Sequence, residues 1–150
     1  MPNKSERFRL AAQALLFART RNRSGIPILV EGKKDRRALQ ALGFTGPMEL
    51  ANRGWSMERL AGWFAEHLQN DKPKDGKAPL ILLMDWDRTG GRLQSDLRRR
   101  LQALDIQVDE ELRRTLSKVL KPETRVVESL YSMADELLEQ IELLDYLEEE

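Results

Sequence analysis

Two short apolar runs, each closed by an acidic residue and followed by a helix-forming stretch, constrain this chain more than any other feature. The first is Ile-Pro-Ile-Leu-Val at 26–30, closed by Glu31; the second is Ala-Pro-Leu-Ile-Leu-Leu-Met at 78–84, closed by Asp85 and Asp87. Continuous apolar runs of this kind read as strands buried on both faces, the habit of parallel strands covered by helices. In a doubly wound sheet ligands gather outside the carboxyl ends of the strands, so acids at two such ends converge on one crevice when the strands are neighbours. A side-chain period of two sets Asp85 and Asp87 on one side and Trp86 on the other. Carboxylates so placed suit a hard, oxygen-seeking cation that keeps water and phosphate oxygens among its ligands.

Composition narrows the chemistry. With no cysteine and a single histidine, His67, disulfides, thiol nucleophiles, haem attachment and zinc sites of the cysteine or multi-histidine kind are excluded. Any metal must be held by oxygen. The 150 residues fit one domain, large enough to bury about two-thirds of the surface of the unfolded chain. The longest uninterrupted apolar run is about seven residues, too short to span a bilayer, and the first twenty residues carry basic groups without a secretory core. A soluble cytoplasmic protein with no membrane partner is expected. Lys plus Arg equals Asp plus Glu at 25 each, which argues against coating nucleic acid by bulk charge. The placement is uneven: residues 1–37 hold ten basic groups against Glu6, Glu31 and Asp35, and residues 123–150 hold ten acids against Arg125. Two readings stand. One is a basic face for a polyanion with an acidic C-terminal helix for a protein partner; the other is two solvated helices that pair with each other.

Period and punctuation place the elements. Residues 4–20 read as an amphipathic helix carrying Phe8, Ala12, Leu15 and Leu16, broken at Asn22 to Gly25. A strand over 26–30 leads through Glu31-Gly32 into a helix over 33–42 that Gly43 ends. Residues 47–51 are a weaker strand, Ser56 caps a helix with Met57, Leu60, Ala61, Phe64 and Leu68 at helical spacing, and 71–77 is a polar connector. After the strand at 80–84, a helix runs from Thr89-Gly90-Gly91 to about 104, a strand follows at 106–108, and a helix spans 110–120. A last helix starts near Ser132, which with Asp135 resembles a capping box. For Glu31 to meet Asp85 and Asp87 the first and third strands must adjoin, which gives a mostly parallel four-stranded α/β sheet of order 2-1-3-4 with right-handed crossovers.

The segments V-E-G-K-K-D (30–35) and M-D-W-D-R-T-G-G (84–91) together resemble the TOPRIM domain, which pairs one Glu with a later D-x-D. With the R-R-x-L segment at 113–116 and V-V-E-S-L at 126–130, the chain is most similar to the small archaeal TOPRIM proteins, themselves similar to the bacterial ribonuclease that matures a ribosomal RNA precursor. The resemblance implies a three-layer Rossmann-like TOPRIM domain over 25–130 and takes in the N-terminal helical extension (1–24), while the acidic C-terminal helix (131–150) lies outside the match. It further implies a catalytic trio of Glu31, Asp85 and Asp87: Glu31 in acid-base work and touching the metal, Asp85 and Asp87 as ligands of Mg2+ (Mn2+ as substitute), and Glu128 as an added ligand. The tyrosine context of topoisomerases is missing around Tyr131 and Tyr146, so the implied activity is metal-dependent hydrolysis or nucleotidyl transfer on nucleic acid, RNA favoured over DNA.

The residues themselves support the same chemistry. Phosphodiester cleavage needs a cation for the phosphate oxygens and a group that moves a proton, and two Asp with one Glu supply both. The amides of Thr89, Gly90 and Gly91, at a helix N-terminus beside the acids, are candidates for phosphate oxygens. Lys33, Lys34, Arg88 and Arg92 flank the acids as phosphate contacts, and Arg53 is placed on the same rim. Each has a plainer reading: Asp87 as an N-cap, the basic residues as local charge balance, and Asp35 as an acid favoured by the helix dipole in a first turn. Trp55, Trp63, Phe64 and Trp86 are assigned to core or rim and His67 to the surface. Two other functions stay open, a metal-binding nucleic-acid module without turnover and an interaction protein that docks through its acidic helix.

Overall fold

A computed structural model of the chain describes residues 2–149. Four strands, β1 (Ile28–Val30), β2 (Met48–Leu50), β3 (Leu80–Leu82) and β4 (Val108–Asp109), pair in the order β2-β1-β3-β4. The helices are α1 (Lys4–Arg23), α2 (Lys33–Ala41), α3 (Met57–Leu68), α4 (Arg88–Ala103), α5 (Glu111–Val119) and α6 (Ala134–Glu149), with a 3-10 turn at Val127–Tyr131. The Rossmann-like α/β architecture and its strand order are those expected, and the sheet is parallel throughout.

β1 lies at the centre, Ile28 opposite both Met48 and Ile81, and all three of its residues are buried. Its period of two divides the core. Ile28, Val30, Ile81 and Leu83 face the layer built from α1, α2, α5 and α6, and Leu29, Leu80, Leu82 and Met84 face α3 and α4. Each fully buried aliphatic side chain of this kind contributes about 1.5–3 kcal/mol. The chain leaves β1 for one edge of the sheet and β3 for the other, so a crevice opens between their carboxyl ends. Ser56 caps α3 as expected, its Oγ accepting from the Arg59 N–H at 3.1 Å.

The two terminal helices pack on each other and complete the first layer. Arg19, only 1% exposed, donates to the Leu42 carbonyl (3.1 Å), Glu142 Oε1 (3.0 Å) and Asp145 Oδ2 (3.4 Å). Arg7 forks onto the Glu123 carboxylate and donates to the Val119 carbonyl at 2.8 Å. Part of the charge asymmetry is therefore spent inside the molecule. Among the described residues no helix is long and apolar enough to cross a membrane.

Three boundaries depart from the sequence reading. α1 continues through Asn22, whose buried amide donates to the carbonyls of Ile26 and Pro47 and accepts from the Gly46 N–H, so the residue ties strands rather than breaking the helix. β4 begins at Val108, because Ile106 turns into the α3–α4 layer instead of joining the ladder. Ser132 caps nothing: its hydroxyl donates to the Ser129 carbonyl at 2.9 Å and closes the 3-10 turn, and α6 starts at Ala134.

Candidate functional site

The acids meet where β1 and β3 end. After β1 the carbonyls of Val30 and Glu31 still accept from the amides of Ala51 (2.8 Å) and Asn52 (2.9 Å), which holds Glu31 beside the end of β2. Gly32 is the extended N-cap of α2, and its N–H donates to Asp35 Oδ2 at 3.0 Å. That bond turns the Asp35 side chain back along the helix toward Glu31. After β3 the ladder gives out, and side chains take over. Buried Gln94 accepts from the Met84 N–H (3.1 Å) and donates to the Leu82 carbonyl (3.2 Å) and to Glu110 Oε2 (2.9 Å). Arg113 donates to the carbonyls of Met84 (3.1 Å) and Asp85 (2.8 Å). Asp85 Oδ1 accepts from the Val127 N–H at 2.7 Å, so the 3-10 turn fixes the carboxylate itself.

Glu31, Asp35 and Asp85 thereby bring carboxylate oxygens within 4.8 Å of one another. They line a cleft of about 390 Å³ together with Gly32, Lys33, Lys34, Asn52 and Glu128. Among the described residues, no ion pair involves Glu31, Asp35, Asp85, Asp87 or Glu128. The electrostatics follow. Burial, then the charges of Asp85, Asp35 and Asp87, push the Glu31 carboxyl above the ordinary carboxylate range. Burial likewise raises Asp35 against the opposing Gly32 N–H bond, and raises Asp85 against the Val127 bond.

The membership of the cluster differs from the expected trio. The acid that closes on Glu31 and Asp85 is Asp35, 6% exposed, rather than Asp87. Strand pairing ends at Leu82 and the alternation of core faces at Met84, so alternation no longer governs 85–87, and Asp87 becomes the N-cap of α4, its Oδ1 accepting from the Gly90 N–H at 2.7 Å. Its charge still reaches both Glu31 and Asp85. Two of the three amides assigned to phosphate are already taken, Gly90 by the Asp87 side chain and Gly91 by the Asp87 carbonyl at 2.8 Å. Close packing explains the glycine at position 90. A Cβ there would lie 2.1 Å from the Asp85 carbonyl oxygen, so Gly90 lets α4 sit against the backbone of the acid. Thr89, Arg88 and Arg92 are exposed in the first turns of α4, and the Thr89 amide has no partner among the described residues.

Arg53 does not serve the rim. It pairs with Glu49 (3.1 Å), donates to the Leu50 carbonyl and lies over the rings of Trp55 and Trp63, so its charge is used locally. Trp86 is core, as assigned, and His67 is exposed and stacked on Trp63. Asp35, Gln94 and Arg113 escaped the residue-level reading. The signal for Asp35 was its place three residues after Gly32, the spacing of a capping interaction; Gln94 carried none, because a polar residue in an amphipathic helix reads as solvent-facing.

No family model matches the chain. It is 31% identical over 119 residues to a UPF0292 protein of Methanosarcina acetivorans, covering 77% of this chain and 74% of the relative. To a UPF0292 protein of Thermococcus sibiricus it is 30% identical over 118 residues, covering 79% and 84%. A solved structure of a protein from Aquifex aeolicus shares the fold, with a TM-score of 0.58 and 24% identity over 78% of this chain and 94% of that one. The likeness to the archaeal relatives runs through most of both sequences, and the chain belongs to the UPF0292 family.

Proposed function

We propose that this protein is a cytoplasmic TOPRIM-type enzyme that acts, with magnesium or manganese, on the phosphodiester backbone of nucleic acid, RNA in preference to DNA. The observation that carries the reading is the convergence of Glu31, Asp35 and Asp85 within 4.8 Å, at the switch point of a parallel sheet, with no basic side chain among the described residues paired to them. An all-oxygen donor set left in mutual repulsion fits a hard divalent cation. Glu31, Asp35 and Asp85 would hold it, with Asp87 and Glu128 adding negative charge, and when bound it would neutralise phosphate oxygens and acidify a water. The remaining roles belong to the chain. Glu31, whose carboxyl lies above the ordinary carboxylate range, can give a proton to a leaving oxygen and take one from an attacking water. Exposed Lys33 and Lys34, on the cleft wall, bind the scissile or adjacent phosphate. Arg88, Arg92 and the free Thr89 amide extend that contact along the strand. The preference for RNA rests on the likeness of the 30–35, 84–91, 113–116 and 126–130 segments together to the small archaeal TOPRIM proteins, themselves similar to the ribosomal-RNA-maturing ribonuclease.

The test is turnover. Labelled RNA and DNA panels are incubated with the wild type and with Glu31→Gln, in magnesium, manganese or chelator. The expected result is metal-dependent cleavage by the wild type, with Glu31→Gln slower on the order of 100-fold to 10,000-fold while binding and melting temperature hold. Full activity in Glu31→Gln would remove its catalytic role. Binding without cleavage on every substrate would leave a metal-dependent nucleic-acid module.

A further inference from the structure

The 3-10 turn that grips Asp85 also displays an aromatic ring. Val127, at its start, donates to the Asp85 carboxylate; Glu128, next along, lines the cleft; Tyr131, at its end, is 48% exposed. Three residues therefore connect the acid cleft to a tyrosine that contributes nothing to either core cluster. The ring is nevertheless held. Arg37 of α2 lies over it with the guanidinium carbon 4.5 Å from the ring centroid, and its Nη2 donates to the phenol oxygen at 3.0 Å. Arg37 is itself exposed, as are Lys33 and Lys34 on the turn before it. Lys33 and Arg37 are four residues apart on one helix face, about 6 Å along the axis. A basic strip thus leaves the cleft and ends one turn later at a ring with a planar cation on it.

A solvated ring fixed by a charged neighbour costs side-chain entropy and buries little apolar area, so packing does not account for it. Its chemistry matches another use. Unpaired bases stack on aromatic rings and on guanidinium planes, whereas bases inside a duplex are already stacked and offer no free face. We infer that Tyr131, oriented by Arg37, is the stacking platform for an unpaired base next to the phosphate held at the cleft, so that the substrate is nucleic acid with a single-stranded segment at the point of attack. This rests on the nucleic-acid reading above and specifies the strand state that the site accepts.

Fluorescence anisotropy with a labelled single-stranded RNA and with a blunt duplex of equal length, manganese withheld, tests it. The proteins are the wild type, Tyr131→Phe, Tyr131→Leu and Arg37→Ala, each checked by thermal melting. The wild type should bind the single strand more tightly than the duplex. Tyr131→Phe should keep that preference; Tyr131→Leu, which preserves apolar cover but has no ring, should lose on the order of 10-fold for the single strand and little for the duplex. Arg37→Ala should weaken the single strand and also flatten the salt dependence, because it removes a cation. Equal single-strand affinity in Tyr131→Leu and the wild type, with the metal-dependent cleavage of the turnover assay present in the wild type, would overturn the platform and leave the enzyme reading standing. No binding of either form by the wild type would overturn both.

Discussion

Asp85→Asn should make the protein more stable at pH 8 in chelator, although it alters a residue at the centre of the site. Asp85 faces Glu31 and Asp35 with oxygens within 4.8 Å. Two unit charges at 4.8 Å repel by about 3.5 kcal/mol at an effective dielectric of ~20 and by about 0.9 kcal/mol in water. Glu31 and Asp85 are only partly buried and water screens part of the repulsion, so the net relief is about 1–3 kcal/mol. Asparagine keeps the oxygen that accepts from Val127, so that bond survives the change. For a chain of this size about 1 kcal/mol moves Tm by about 2–4 °C, which makes the gain roughly 2–12 °C. The sign with pH follows from linkage. Folded-state pKa values above the unfolded ones mean that the native state binds more protons, so stability falls as pH rises from the ordinary carboxylate range through the raised values. The advantage of Asp85→Asn should therefore vanish near pH 4, where the raised carboxyls of the native state hold their protons and the repulsion is gone. Manganese at about 100 times its Kd should then stabilise the wild type by about 2.7 kcal/mol and the variant far less. Scanning calorimetry at pH 4 and pH 8, with chelator and with manganese, decides it. A variant that melts below the wild type at pH 8 in chelator, or an equal manganese response in both proteins, would refute the reasoning.

Three further outcomes are expected. Gly90→Ala, which at an ordinary helix position would add about 1 kcal/mol, should instead cost about 1–3 kcal/mol in urea denaturation, because its Cβ meets the Asp85 carbonyl oxygen at 2.1 Å; manganese affinity should fall with it. The pair Glu142→Ala with Asp145→Ala should cost about 1–3 kcal/mol by leaving the Arg19 guanidinium buried with only the Leu42 carbonyl, whereas Arg19→Met, which strands only partly exposed acids, should cost clearly less; the reverse order in chemical denaturation would contradict the geometry. Lys33→Ala with Lys34→Ala should reduce the slope of log binding constant against log salt by about 1.4 for a single strand, read by titration at several ionic strengths.

Strand order was legible because one requirement, that acids after two apolar runs share a crevice, leaves few topologies for a parallel sheet. Glu31 and Asp85 were legible for the same reason, each standing directly after a run whose burial the composition announces. What escaped depends on where a ladder stops. The pairing of β3 ends at Leu82, two residues before its apolar run does, so the alternation extrapolated to Asp85 and Asp87 has no strand to act through. Gln94, Arg113 and Val127 then decide where Asp85 points, and none of the three belongs to the strand that carries it. Asp35 was judged by its helix position alone, where an acid needs no further reason; its second partner, Asp85, lies fifty residues away. Arg53 illustrates the same limit, since its choice of Glu49 and two tryptophans over the rim is a matter of rotamer and packing, which spacing does not encode.

The pairing of α1 with α6 has a consequence for how the chain is made. α1 is synthesised well before α6, the helix that covers it. Phe8, Ala11, Ala12 and Leu15 are buried in a layer that includes Leu137 and Ile141, and the guanidinium of Arg19 meets its acids only at Glu142 and Asp145. At about 5–20 residues per second, the hundred or so residues between these helices take on the order of 5–20 s to synthesise. Through that interval α1 carries an uncovered apolar face, and the synthesis of α6, rather than the assembly of the sheet, sets when this layer of the nascent protein stops being a target for chaperones.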